Sequence, residues 1–481
     1  MRFAGNRAHH PVPARPFALA SGRAATPGPA RRKLAHRKRV GAAAALAALA
    51  LSLGAPPADA SAARHGRPRE SYVAVDAVHV LKVGRPTARQ VVVLVPGMYG
   101  AAGDFRVLAR DLARRLPDTQ VWSVDRREQS LADLSGFQGA DPASYYLDGR
   151  YRRPPHMPAE ARNWGLATTL GDLRAVVRSA SDRGRRRVVL GGHSWGATTA
   201  LAYAAWDFDG RPGYRDLSGL MLIDGGVHGA FAGEGWEPRN SPDQVRARLA
   251  AIDSETGEGK SVIDGYLSQA LGLGDRPESA AIWYQLIAWY ADRAPHAPSV
   301  LAARLPEPLR PPRPVTNAGL LGWFMQASPR TAPALSVHSG SLTDTGDWRD
   351  NGMTPLRRVA AAQAGPTPAG FEWYWPQRLS LDLDAVDPYT DTESTRILGL
   401  RLWHTRELDI PLYAFETGLD KGTQGTAAHW LTANSRIPGA TYAADPTMSH
   451  LDPLFAAPTH NELTRTLVPF LRSLRTVADS R

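Results

Sequence analysis

The run Arg187-Val188-Val189-Leu190-Gly191-Gly192-His193-Ser194-Trp195-Gly196 constrains this chain more than any other stretch. A short β-branched, apolar segment stops at paired glycines and passes straight into small residues, Ala197, Ala200, Ala202 and Ala204, at helical spacing. That pattern demands a buried strand, a sharp turn and a helix packed close to the sheet. A serine at such a junction sits where strand end and helix start crowd together. Gly192 and Gly196 carry no Cβ to clash there, so the Ser194 hydroxyl stands clear of the backbone.

The flanking sequence supplies the sheet. Ser71 to Val83 alternates apolar with small or polar residues and reads as edge strands, followed by a turn at Gly84-Arg85-Pro86. Val91 to Val95 is continuously apolar, as a central strand buried on both faces must be, and ends at Pro96-Gly97-Met98. Asp104 to Leu116 reads as an amphipathic helix with Asp104 as its N-cap. Val121 to Asp125 reads as another parallel strand. A helix carrying Leu170, Leu173, Val176, Val177 and Ala180 leads into the Ser194 strand, and Leu220 to Asp224 forms the strand after it. Strands alternating with helices in this way predict an α/β fold with a doubly wound, mostly parallel sheet.

From about 227 to 400 the rhythm breaks. Helices are expected around Val245–Ile252, Ala280–Tyr290 and Leu320–Gln326 with no strands between them, and Pro306 to Pro314 is a proline-dense joint. Seven of the 13 tryptophans lie here, candidates to line an apolar pocket or to pack the segment's own core. The core pattern resumes with a strand at Ile410–Phe415, another at Ala440–Ala444, and a final helix whose Leu463, Leu467, Phe470, Leu471 and Leu474 share a face.

The formal charge of +11 is concentrated at the start. Residues 1–60 hold ten Lys or Arg and one acid, which leaves 47 basic against 45 acidic residues in the remainder. So balanced a body argues against nucleic-acid binding. The leader has a basic cluster at Arg37–Arg39, an apolar run from Val40 to Leu53 too short for a stable membrane span, and Ala58-Asp59-Ala60 in the small-x-small form of a cleavage site. A signal peptide cleaved near Ala60, and hence a secreted or periplasmic protein, is expected. Arg31-Arg32-Lys33 partly resembles a twin-arginine signal, and the export route stays open. The chain has no cysteine, which excludes a disulfide framework, a thiolate nucleophile and cysteine metal sites.

Gly192-His193-Ser194-Trp195-Gly196 matches a Gly-x-Ser-x-Gly nucleophile elbow, and in its strand-turn-helix setting the chain resembles the α/β-hydrolase superfamily, specifically secreted bacterial esterase- or lipase-like serine hydrolases. The resemblance covers roughly 71–226 and 405–475. It implies a leader over 1–60, a first core part over 61–226, a large, mainly helical lid insertion over 227–400, and a second core part over 401–481.

A serine hydroxyl needs a base, and the base needs a third group to orient it. The family order of Ser, then Asp or Glu, then His makes Ser194 the nucleophile and His450, in the loop before the last helix, the base. Asp420 is the first choice of acid. Asp224, at the end of the strand after the elbow, and Glu416 are the alternatives. The backbone N–H groups of Met98 and Trp195 are the implied oxyanion hole, although Pro96-Gly97 stands where the family often has His-Gly. His193 is expected under the elbow in a structural role, and Asp452 is expected to anchor the histidine loop.

The implied activity is carboxylic ester hydrolysis on a small-molecule ester or acyl substrate. A serine aminopeptidase-like amide hydrolase is the enzymatic alternative, and a non-catalytic binding protein on the same fold is the alternative of another class. No cofactor is expected. Asp382, Asp384, Asp387 and Asp391 lack the glycine and spacing of a calcium loop and read as a solvated acidic segment.

Overall fold

The computed structural model describes residues 68–154, 156–254, 262–326 and 333–476, so the expected leader lies outside the described residues. Eight strands form one sheet: β1 (Glu70–Val75), β2 (Val78–Val83), β3 (Gln90–Val95), β4 (Thr119–Val124), β5 (Arg187–His193), β6 (Gly219–Ile223), and, after a separate hairpin of β7 (Gly340–Leu342) and β8 (Trp348–Asp350), β9 (Leu412–Thr417) and β10 (Ala440–Asp445). Their order is β1-β2-β4-β3-β5-β6-β9-β10. The first pairings, β1 with β2 and β2 with β4, are antiparallel, and all the rest are parallel.

Alternation along the buried strands sorts the core into two layers. Val92 and Leu94 of β3, Val189 of β5, Ile223 of β6 and Phe415 of β9 pack on one face, with α1 (Arg106–Arg115) and the terminal helix's Leu463, Leu467 and Leu471. Val91, Val93, Val188, Leu190, Leu222 and Ala414 face the other way, against α2 (Leu166–Ser181) and α3 (Trp195–Ala205). Every residue of α3 is buried, which is why its sequence is small and apolar all round.

The register lines up the C-terminal strand ends. Val95 sits beside Gly192, His193 beside Ile223, and Ile223 beside Phe415. The loops leaving these strands therefore begin side by side at one edge of the sheet, where open parallel sheets form their crevices.

Among the described residues between Ile223 and Leu412 no strand joins the large sheet. The expected helices are present as α4 (Pro242–Asp253), α5 (Ser279–Arg293) and α6 (Asn317–Met325), and the β7–β8 hairpin is a feature the sequence reading omitted. Two further details differ. Asp104 is not a side-chain cap: it is buried in a tight turn, Ala102–Phe105, ahead of α1, and burial together with the charge of Asp125 pushes its pKa well up. Asp382 and Asp384 are not solvated either. They lie on the buried face of α7 (Gln377–Val386), where Asp382 accepts from Arg378 Nε at 2.8 Å and the Leu166 N–H at 2.7 Å, and Asp384 pairs with Arg248 at 2.5 Å.

Candidate active site

Ser194 joins β5 to α3 with φ 56° and ψ −130°, a backbone conformation that costs a residue with a side chain and persists only where its surroundings enforce it. The neighbouring glycines enforce it by close approach. A Cβ on Gly192 would sit 2.1 Å from the backbone of Gly196, and one on Gly196 would sit 2.1 Å from the Val95 carbonyl oxygen. Gly225 passes the serine so closely that a Cβ there would lie 2.2 Å from the Ser194 carbonyl oxygen. Ser194 itself is only partly buried.

On the neighbouring strand end, Asp224 is fully buried and held by three donors. Its Oδ1 accepts the Thr417 N–H at 2.6 Å, and its Oδ2 accepts the Thr417 hydroxyl at 2.6 Å and His450 Nδ1 at 2.5 Å. The loop delivering His450 is tied down by Asp452, whose carboxylate accepts the Ser449 N–H at 2.6 Å, the His338 N–H at 2.8 Å and the Thr354 hydroxyl at 2.5 Å. His193 is not idle beneath the elbow. Its Nε2 donates to the His450 carbonyl at 2.9 Å, and the two rings lie 4.3 Å apart.

The electrostatics separate the two histidines. Burial and the neighbouring His450 lower the pKa of His193 to about 3, so it stays neutral. Burial works against protonation of His450 as well, but the hydrogen bond and charge of Asp224, with Glu234 and Asp420 behind them, outweigh it and raise its pKa above the ordinary histidine value.

Asp420, expected to orient His450, does not hydrogen-bond to it. Its Oδ2 accepts from Gln424, its Oδ1 is buried without a hydrogen-bond partner, and burial plus the charges of Glu234 and Asp224 raise its pKa to about 7. Glu416 is occupied at the start of α8 (Thr423–Ala433), accepting the N–H groups of Gly422 at 2.6 Å, Gln424 at 3.3 Å and Gly425 at 2.9 Å. The reason for the difference is the sheet order. Strand β6 lies between β5 and β9, so an acid at the end of β6 is one strand closer to Ser194 than one following β9. Two contributors escaped the sequence reading: Thr417, which fixes the Asp224 carboxylate, and Glu234, an acid of the insertion placed near His450. The fully apolar strand Gly219–Ile223 running straight into Asp224 was the available signal.

The loop carrying Met98 passes directly over the nucleophile, since a Cβ on Gly97 would lie 2.9 Å from Ser194 Cβ. Beside it stands an aromatic wall in which the Trp195 ring meets Trp236 at 5.5 Å and Trp375 at 5.9 Å. Four of the other five tryptophans of this segment bond inside it or to its support: Trp289 to the Phe137 carbonyl, Trp323 to the Leu309 carbonyl, Trp348 to Ser339 and Trp373 to Gln285. His193, Asp224 and His450 offer ligand atoms within 4.8 Å of one another, a spacing a metal ion could use. Asp224 Oδ2, His450 Nδ1 and His193 Nε2 are already joined in the hydrogen bonds described above.

The sheet order, the elbow and the position of the histidine loop are those of an α/β-hydrolase fold. Residues 90–207 match the family model described as alpha/beta hydrolase fold. Among solved structures it is similar to a soluble variant of monoglyceride lipase from Saccharomyces cerevisiae, at 11% identity and TM-score 0.41, covering 85% of this chain and 97% of that one. It is also similar to an epoxide hydrolase from an endophytic Streptomyces, at 16% identity and TM-score 0.41, covering 86% and 97%. A third is the thioesterase domain from the curacin biosynthetic pathway, at 13% identity and TM-score 0.39, covering 85% and 100%. No curated protein sequence matches the chain.

Proposed function

We propose that the chain is an exported serine hydrolase that cleaves a carboxylic ester through an acyl-enzyme, with Ser194 as nucleophile, His450 as base and Asp224 as the orienting acid. The observation that carries the reading is the His450–Asp224 hydrogen bond at 2.5 Å beside a serine held on a strained elbow. Asp224 accepts the Nδ1 proton of His450, which leaves Nε2 unprotonated and able to take the Ser194 proton as Oγ attacks the carbonyl carbon. The developing oxyanion is received by the N–H groups of Met98 and Trp195. Collapse expels the alkoxide, protonated by the imidazolium, and a water molecule activated by the same histidine then releases the acid.

The test is labelling by a fluorophosphonate, with turnover of a panel of p-nitrophenyl esters. Wild type is expected to react and Ser194→Ala to lose both reactivities. A wild type that folds, does not label and binds a ligand would be the non-catalytic alternative.

One observation favours the amide reading. Glu234, in the insertion, and Asp420 are acids near His450, each with a buried oxygen that has no hydrogen-bond partner, and a substrate ammonium would pair with such a set. Aminoacyl-nitroanilides run beside the esters decide between them. Export belongs to the same proposal and predicts a mature protein beginning at Ser61.

A further inference from the structure

We propose that Arg126 is a positioning residue that aims the Met98 N–H at the reacting carbonyl, and that it does so from a clamp completed by Glu372 of the insertion. The proposal rests on the serine-hydrolase reading above.

Arg126 follows β4 and is buried, as is Glu372. Its guanidinium holds the loop after β3 by three carbonyls: Nη1 donates to Pro96 at 3.0 Å, and Nη2 donates to Gly97 at 2.8 Å and to Gly100 at 3.1 Å. Nε donates to Glu372 Oε2 at 2.9 Å, Nη2, whose two N–H groups are shared among three acceptors, lies 2.5 Å from the same oxygen, and the Trp375 ring covers the group with its centroid 4.6 Å from Cζ. A guanidinium is the side chain suited to this task, since its planar fork reaches several acceptors in fixed directions.

The consequence follows from peptide geometry. The Gly97 carbonyl and the Met98 N–H belong to one planar trans unit, in which C=O and N–H point in opposite directions. Fixing the Gly97 oxygen on Arg126 therefore fixes the Met98 N–H pointing away from Arg126. Gly97 itself lies against Ser194, since a Cβ there would meet Ser194 Cβ at 2.9 Å, so the peptide that Arg126 fixes is next to the nucleophile.

The insertion completes the clamp along its backbone. Segment 369–372 runs antiparallel to residues 99–103: Gly103 N–H donates to Ala369 at 2.8 Å, Ala101 N–H to Gly370 at 3.1 Å, and Glu372 N–H to Tyr99 at 2.8 Å. Gln129 closes the end, donating to the Phe371 carbonyl at 3.1 Å. Burial and the adjacent Glu372 charge also push the pKa of Glu128, the second carboxyl of the cluster, well above the ordinary glutamate value, and its Oε1 lies 3.6 Å from Arg126 Nε.

The experiment compares wild type, Arg126→Lys and Glu372→Gln on one p-nitrophenyl ester, with circular dichroism to confirm folding. It also measures inhibition by an alkyl boronic acid, which becomes tetrahedral on the serine. Loss of one aimed oxyanion donor costs on the order of 100-fold in turnover. Arg126→Lys is expected to lower kcat by about that factor, with KM within about threefold, and to raise the boronate inhibition constant by a similar factor. Glu372→Gln is expected to give a smaller loss of the same kind. A merely structural lesion reduces the active fraction but leaves the inhibition constant of the surviving molecules unchanged. Unchanged boronate affinity in both variants would overturn the proposal, as would a KM effect without a kcat effect. If Arg126→Lys does not fold, Glu372→Gln alone decides it. Absence of wild-type turnover and labelling would instead strike the hydrolase reading itself.

Discussion

Two of the carboxylates whose charges act on His450, Asp224 and Asp420, sit in environments that predict opposite behaviour on neutralisation. Asp224 bears the hydrogen bond to Nδ1, so Asp224→Asn is expected to lower kcat by about three to four orders of magnitude, the loss that a wrong tautomer produces in the serine-protease example. Asp420→Asn is expected to leave kcat within about tenfold. Its effect belongs to stability. The folded pKa of Asp420, about 7, stands above the unfolded carboxyl value, so the folded state binds this proton more tightly and loses stability as pH rises towards 7. Asparagine cannot lose that proton. Urea melts should therefore show the variant level with wild type at pH 4 and more stable at pH 8, by on the order of 2 kcal/mol. The raised pKa of His450 gives a further check: kcat/KM should climb with pH through a midpoint above the ordinary histidine value of about 6.5, and losing the Asp224 charge should bring residual activity down to a lower midpoint. The placement of Ser194 at the strand–helix junction and of His450 in the loop before the last helix was readable because both positions are marked locally in sequence. The acid that meets the imidazole was not, because Asp224 directly follows the apolar strand β6 while Asp420 lies in the loop after β9, and only lateral strand order and loop register decide which of them reaches His450.

Among the elements, the parallel strands were legible because burial on both faces leaves an unbroken apolar run, as in Val91–Val95 and Leu220–Ile223. What failed were polar residues that turn inward. Asp104, Asp382 and Asp384 read as cap or solvated residues, yet partners distant in sequence, or protonation, make their burial tolerable: Arg378 and the Leu166 N–H for Asp382, Arg248 for Asp384. The elbow gives the sharpest element-scale prediction. Gly196→Ala places a Cβ into the Val95 carbonyl, a backbone atom that cannot rotate aside, and is expected to destabilise by about 3 kcal/mol or more, or to abolish soluble expression. Ala200→Gly in the same helix should cost only about 1 kcal/mol. Chemical denaturation of both variants makes the comparison.

For the molecule as a whole, the basic excess lies in residues 1–60, outside the described core. If that segment is a removable export signal, protein recovered from the culture medium or periplasm will begin at Ser61, and a version produced without residues 1–60 will hydrolyse ester as fast as the processed form. N-terminal sequencing and a side-by-side rate measurement check both. Among the described residues no helix is long and apolar enough to cross a membrane. The antiparallel strap between residues 369–372 and 99–103 bears on how such a protein can be re-engineered or diversified. If residues 227–400 form an insertion, they look like a cassette that could be exchanged to change substrate preference while the sheet is kept. Here the cassette carries Glu372 and the backbone strap against the loop of Met98, so a chimera cut at its borders would inherit an intact Ser194, His450 and Asp224 with an arginine lacking its counter-ion. A graft that keeps this loop braced transplants the strap and its acid together with the loop as one unit.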